Sequence, residues 1–285
     1  GATITMTRRV AFSAGHRYWR SDLDEAANRS LYGEWASPFA HGHNYHLDAQ
    51  VTGEIDPRTG MVVNIKRVDD VLRERILAVY DGRCLNQEVE SLLHLSPTLE
   101  TLLHDVADRL GDEFRVRTHL EGASEAMVRL TGLRLREKED LYAEMNLPER
   151  AMTLTRTYEF AAAHRLHASW LSDEENRTLF GKCNNPNGHG HNYVLEVTVG
   201  GTPDSATGML VDLAALDEAV EREVVGRYDH KNLDLDVEEL AGKVTTSENV
   251  AQAIFDRLNE KVPARLERIK LWETGRNAFE VERRS

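Results

Sequence analysis

Between Asn192 and Gly201 the chain reads NYVLEVTVGG, with apolar and polar residues alternating, the period of two expected of a strand with one buried face. The preceding stretch from Thr153 to Leu166, TLTRTYEFAAAHRL, predicts another strand, and a polar loop joins the two. TGMLVDL at 207–213 predicts a turn followed by a short strand. In LAALDEAVEREVVGRY, Leu213, Leu216, Ala219, Val220 and Val224 recur at helical spacing. A second helix is predicted from Ser247 or Glu248 to about Leu258, with Thr246 or Ser247 as its cap and acidic Glu248 in its first turn. The stretch ARLERIKLWET closes the pattern as a strand. The order β-β-β-α-α-β, with hairpin-type connections early, predicts an α+β fold: an antiparallel sheet with two helices on one face.

The whole pattern occurs twice. FSAGH at 12–16 matches FAAAH at 160–164, HGHNY at 41–45 recurs at 189–193, TGMVVNI at 59–65 matches TGMLVDL, and YDGRCL at 80–85 matches YDHKNL at 228–233, all at a constant offset of 148 residues. PTLET at 97–101 matches TTSEN at 245–249 at the same offset. GLRLREKED at 132–140 then matches RIKLWETGR at 268–276, so the first copy carries about a dozen extra residues near 111–127. A repeat of this length is a domain, and two domains are expected, 1–146 and 147–285, joined at the turn NLPER. A single sheet layer leaves edges that proteins commonly cover by assembly.

Composition narrows the function. With 41% hydrophobic and 29% charged residues the chain has the balance of a globular protein that is not embedded in a membrane. It has no apolar run of the ~20 residues that span a membrane, and no signal peptide pattern opens it. Two cysteines in 285 residues are no disulfide framework, so reduced thiols and a cytoplasmic setting are expected. A net charge of −13 argues against nucleic acid as a partner. It also means that an anionic substrate needs local positive charge at its site.

The candidate chemistry sits on the repeated segments. His189 and His191 alternate along one strand and face the same side, and His164 ends the strand before. Three converging imidazoles suit a tetrahedral zinc that keeps one position open, as catalytic zinc does. One His-x-His alone would more often be a pair of ordinary histidines. Here His16, His41 and His43 repeat the triad, and six of the twelve histidines fall in the two sets. Cys183 lies six residues before His189 on a polar, sharply turning loop. Its thiolate can act as a base or nucleophile beside a metal-bound substrate, although a small buried cysteine is the commoner case. Asp229 and His230 can form a pair in which the carboxylate holds the imidazole in one tautomer. Glu273, at a strand end, can accept two N–H donors from a flat heterocycle.

Taken together, FAAAHRLHASWLSDEENRTLFGKCNNPNGHGHNY, YDHKNLDLDV, TTSENVA and LWET resemble the 6-pyruvoyltetrahydropterin synthase family, across nearly all of the second repeat. The resemblance implies the tunnelling fold and a zinc-dependent lyase that converts 7,8-dihydroneopterin triphosphate to 6-pyruvoyltetrahydropterin with loss of triphosphate. It implies His164, His189 and His191 as zinc ligands, Cys183 with Asp229 and His230 as the proton-transfer set, and Glu273 as the pterin anchor with Thr246, Ser247 and Glu248 nearby. It also implies paired three-domain rings, which a tandem chain would build as a homotrimer of six domains. The family includes the 6-carboxytetrahydropterin synthases of deazapurine biosynthesis, whose cysteine typically sits closer to the His-Gly-His. A non-catalytic pterin-binding scaffold is the alternative of another class.

The first repeat departs from the family where the chemistry lies. Trp35 stands for the cysteine and Gly82 for the histidine of the Asp-His pair, while His16, His41, His43, Asp81, Thr98, Glu100 and Glu137 remain. Two zinc ions per chain are therefore expected, with only the second repeat catalytic and the first a structural partner or, as the alternative, a binding or regulatory site.

Overall fold

The computed structural model describes residues 2–118 and 128–285, with side chains outside 112–127. The chain forms two compact units: Gly1–Leu154 with Thr202–Leu210, and Thr155–Gly201 with Val211–Ser285. Of the extra residues expected in the first copy, 119–127 lie outside the described residues.

In the first unit β1 (Ile4–His16) pairs with β2 (His41–Gly53), β2 with β3 (Val128–Lys138) and β3 with β4 (Leu141–Asn146), all antiparallel. The helices are α1 (Glu25–Tyr32), α2 (Ile65–Leu72) and α3 (Leu99–Thr118). Alternate residues Tyr45, Leu47, Ala49 and Val51 of β2 are buried, with Val68, Leu72, Leu103 and Val106 of the helices. Burying each large side chain stabilises the fold by roughly 1.5–3 kcal/mol, which is why the alternation fixes the register.

The second unit repeats the plan. Strands β5 (Met152–His164), β6 (His189–Gly201), β8 (Arg265–Thr274) and β9 (Asn277–Glu282) are successive neighbours, and the short β7 (Lys231–Asn232) pairs with β5. Tyr193, Leu195, Val197 and Val199 are the buried row of β6, covered by Leu216 and Val220 of α5 (Leu213–Val220) and by Val250, Ile254 and Leu258 of α6 (Ser247–Leu258). Register irregularities fall at equivalent places, between Gln50 and Val51 in β2 and between Thr198 and Val199 in β6. Each first long helix passes through a π-turn, Arg73–Leu77 or Glu221–Val225, before it ends at Tyr80 or Tyr228. In the second unit that ending delivers Asp229 and His230.

Three local expectations change. The polar loop holds a helix, α4 (Asp173–Phe180), started by a reciprocal capping box between Ser172 and Glu175. TGMLVDL forms no strand; Leu210 and Val211 are buried as loop residues. The last strand is followed by β9, so the first copy runs β-α-β-α-α-β-β and the second has the same order with the short β7 between its last two helices. Among the described residues no helix is long and apolar enough to cross a membrane.

Candidate active site

The register of β1 and β2 sets His16 opposite His41 and Ala14 opposite His43, and each three-histidine set gathers its ligand atoms within 4.8 Å of one another. His164 Nε2 lies 3.0 Å from His189 Nε2, and His16 Nε2 lies 2.9 Å from His41 Nε2. Burial lowers the pKa of His16 to about 3 and of His43 to about 4, reinforced by neighbouring cationic groups. Burial lowers His41, His189 and His191 as well. Burial thereby disfavours the charged form at all five, and the neutral imidazole is the form that binds metal. Nε2 of His191 is buried without a hydrogen-bond partner, a cost of roughly 1–3 kcal/mol for an unsatisfied buried group. A metal ion at the triad removes that cost, so the donor set fits one.

The His164 ring is oriented from behind. Its Nδ1–H donates to the Thr245 carbonyl at 2.7 Å, leaving Nε2 as the ligating atom. Thr245 is fully buried, and its hydroxyl donates to Asp234, whose other oxygen accepts the Arg165 N–H at 2.6 Å. Gly188, just before His189, has φ +76°, and a Cβ there would stand 3.0 Å from the His164 carbonyl oxygen, so only glycine suits the approach to the metal strand.

Cys183 sits on the turn Gly181–Asn184 at the end of α4. That turn is tied to the residues following His164: Leu166 N–H donates to the Cys183 carbonyl at 2.9 Å, Asn184 Nδ2 to the Leu166 carbonyl at 2.8 Å, and Arg165 Nε to the Asn184 carbonyl at 2.9 Å. Asn176, fully buried, donates to the carbonyls of Ala168, Leu171 and Ser172 and so holds α4 to the same loop. The corresponding turn of the first repeat carries Trp35, whose ring meets Tyr18 at 5.5 Å between centroids; Tyr18 in turn stacks on His41 at 6.0 Å.

Asp229 and His230 form a bonded pair, Nδ1 to Oδ2 at 2.8 Å. The second Asp229 oxygen accepts the Ala161 N–H, and His230 N–H donates to the Ala161 carbonyl, so β5 anchors both residues. The Ala161 N–H, and next the His230 ring, hold the Asp229 carboxyl below its ordinary range. His191, His230 and Lys231 line one cleft of about 460 Å³. The equivalent cleft of the first repeat, also about 460 Å³, has His43, Gly82 and Cys84 at its walls.

Glu273 accepts a hydrogen bond from the Ser247 hydroxyl and one from Asn277 Nδ2 at 3.4 Å. Burial alone would raise its pKa, but these bonds outweigh it and hold the group charged. Thr246 caps α6 through the Asn249 N–H, and Glu248 is exposed in its first turn. In the first unit the equivalent Glu100 is buried and accepts the Leu210 N–H at 2.8 Å, while the Thr98 hydroxyl donates to the Gly208 carbonyl at 2.6 Å. Thr245, Asp234, Asn176 and Asn277 escaped the sequence reading. Only Asn176 had a nearby signal, the Ser172-x-x-Glu175 cap of the helix it holds.

The sequence model described as 6-pyruvoyl tetrahydropterin synthase matches residues 5–148 and again 153–284. A 6-pyruvoyl tetrahydrobiopterin synthase of Homo sapiens is 51% identical over 125 residues, 44% of this chain and 86% of that protein. The one from Drosophila melanogaster is 51% identical over 126 residues, 44% of this chain and 75% of that protein. A solved 6-pyruvoyl tetrahydropterin synthase of Caenorhabditis elegans is 44% identical and superposes with a TM-score of 0.45, covering 47% of this chain and 96% of that one. The two matched segments span both copies, and the chain belongs to the 6-pyruvoyl tetrahydropterin synthase family, carried as two consecutive repeats.

Proposed function

We propose that the second repeat is a zinc-dependent lyase that converts 7,8-dihydroneopterin triphosphate to 6-pyruvoyltetrahydropterin with release of triphosphate. The observation that carries this reading is the shared cleft: His191 of the metal triad and the Asp229-bonded His230 face one cavity, and the first repeat has glycine at the second of these positions.

His164, His189 and His191 hold the metal, which supplies Lewis-acid polarisation of a side-chain hydroxyl when bound. Cys183 takes the proton from the adjacent carbon as its thiolate. His230, with Nδ1–H donated to Asp229, keeps Nε2 free to accept or return a proton. Glu273 binds the N–H edge of the pterin with two acceptor oxygens, and Thr246, Ser247 and Glu248 border it. The six-residue spacing from Cys183 to His189 favours the pyruvoyl over the carboxy product. Cys183→Ala is expected to keep its zinc and lose at least about 100-fold in turnover, the lower range for a general base. Undiminished product by mass spectrometry in that variant would remove Cys183 from its role.

In this reading the first triad holds a second zinc, and three chains assemble into a six-domain particle. The exposed Glu248, against the backbone-bonded Glu100, supports a second-repeat site completed by another copy. Light scattering should return a mass near three chains; a monomer at assay concentration would exclude the arrangement.

A further inference from the structure

The segment Thr202–Leu210 comes from the second repeat but belongs to the first unit. There it seals the start of α3. The Thr98 hydroxyl accepts the Thr101 N–H at 3.2 Å and donates to the Gly208 carbonyl at 2.6 Å, and Glu100 accepts the Leu210 N–H at 2.8 Å. The fit is close: a Cβ on Gly208 would stand 2.6 Å from Thr101 Oγ1 and 3.0 Å from Thr98 Oγ1. Thr98 and Glu100 are each 4% exposed in consequence. All of these residues have counterparts at the offset of the repeat. Thr246, Glu248 and Asn249 are those of the helix start, and Gly60 and Val62 are those of the loop.

The counterparts keep the shape and lack the contact. In the first-repeat loop the Asp56 N–H donates to the Met61 carbonyl at 2.9 Å and the Gly60 N–H to the Asp56 carbonyl at 2.8 Å; Asp204, Met209 and Gly208 do the same, both at 2.8 Å. Gly60 and Gly208 have φ of +71° and +70°. Yet Gly60 and Met61 are exposed, and among the described residues the Gly60 carbonyl and the Val62 N–H have no hydrogen-bond partner. Ile55 and Met61 leave apolar surface open on this loop, whereas Pro203 and Met209 are half-buried. At the start of α6, Thr246 accepts the Asn249 N–H at 3.3 Å as Thr98 accepts that of Thr101. Glu248 is exposed there and makes no hydrogen bond or ion pair among the described residues. Each chain therefore leaves one loop and one helix start open, and the sealed pair in the first unit shows that such surfaces fit each other.

We propose that the loop 54–62 of one copy docks on the start of α6 in another copy, with the Val62 N–H on Glu248 and the Gly60 carbonyl on the Thr246 hydroxyl. The contact is heterologous, joining two different surfaces, and a closed ring of copies uses every loop and every helix start. Ser247, which bonds Glu273, lies between the two docking residues, so the loop arrives at the rim of the proposed pterin site. The inference rests on the reading that another copy completes that site, and it names the first-repeat surface that does so.

The test uses the full chain. Gly60→Asn keeps the left-handed turn, which asparagine tolerates, and puts a side chain where the docked loop has no room. Glu248→Ala removes the acceptor. Each variant should raise the concentration at which the assembly dissociates, read by light scattering on dilution, at least about 10-fold, the loss of one hydrogen bond to a charged group. A second measurement co-expresses Gly60→Cys chains with Asn249→Cys chains, both carrying Cys84→Ser and Cys183→Ser, and oxidises them with copper-phenanthroline. The close approach of Gly208 to Thr101 puts the two new thiols within disulfide reach, so the crosslink should join one chain of each kind and scarcely form in either chain alone. Undiminished assembly in either variant, or no preference for the mixed pair, overturns the docking and leaves a multi-chain particle standing. A parent chain that stays monomeric at every concentration overturns both.

Discussion

His230 adopts a backbone conformation that most side chains avoid. Its φ is +59°, and the equivalent residue of the first repeat is Gly82 at φ +75°. The left-handed region costs an L-residue roughly 1–2 kcal/mol, a strain characteristic of functional positions. The repeat without the proton-transfer set has glycine there, which bears no such cost. The side chain of His230 is 85% exposed and, among the described residues, Asp229 is its only side-chain partner, so packing gives no reason to keep an imidazole. His230→Gly is therefore expected to keep or slightly raise the thermal midpoint while turnover drops at least about 100-fold. Paired melting curves and product assays check both halves. A variant that unfolds early would reveal a structural role, and one that keeps full turnover would leave the histidine idle.

At the scale of elements, legibility followed periodicity. The long strands and the helices ending at Tyr228 and Leu258 carry strong two-fold or helical spacing, and each lies where that spacing put it. The α4 helix is short and polar, with Asn176 its single buried residue, so its cap was the available sign and hydrophobic spacing was silent. Leu210 and Val211 misled because two buried apolar residues in a loop look like the end of a strand. The half-exposed β9 lacks a buried row to announce it. The histidine triads were legible through duplication. The carbonyl of Thr245, which orients His164, leaves no side-chain signature.

For the molecule as a whole, the histidines and Glu100 set opposing demands on pH when metal is removed. His16 is lowered from 6.5 to about 3, so between those values the unfolded chain binds a proton that the folded one refuses, and stability rises with pH. Glu100 is raised from 4.5 to about 7 by burial, against the pull of the Leu210 N–H and with the charge of Glu137 adding to the rise. Between those values the folded chain holds the extra proton, and stability falls with pH. The two effects cancel across about pH 4.5 to 6.5. There, His43, lowered to about 4, keeps stability rising with pH, and His41, His189 and His191 act in the same direction. Below about 4.5 nothing from Glu100 offsets His16, and the lowered carboxyls of Asp229 and Glu273 also lose their stabilising charge as they protonate, so the acid limb steepens. Urea unfolding of chelator-treated protein should trace this shape. Glu100→Gln removes one side of the cancellation, so its stability should climb across the same window by an additional ~1.4 kcal/mol per pH unit, the value of one proton. Parallel curves for the variant and the parent would show that Glu100 does not hold its proton in the folded chain.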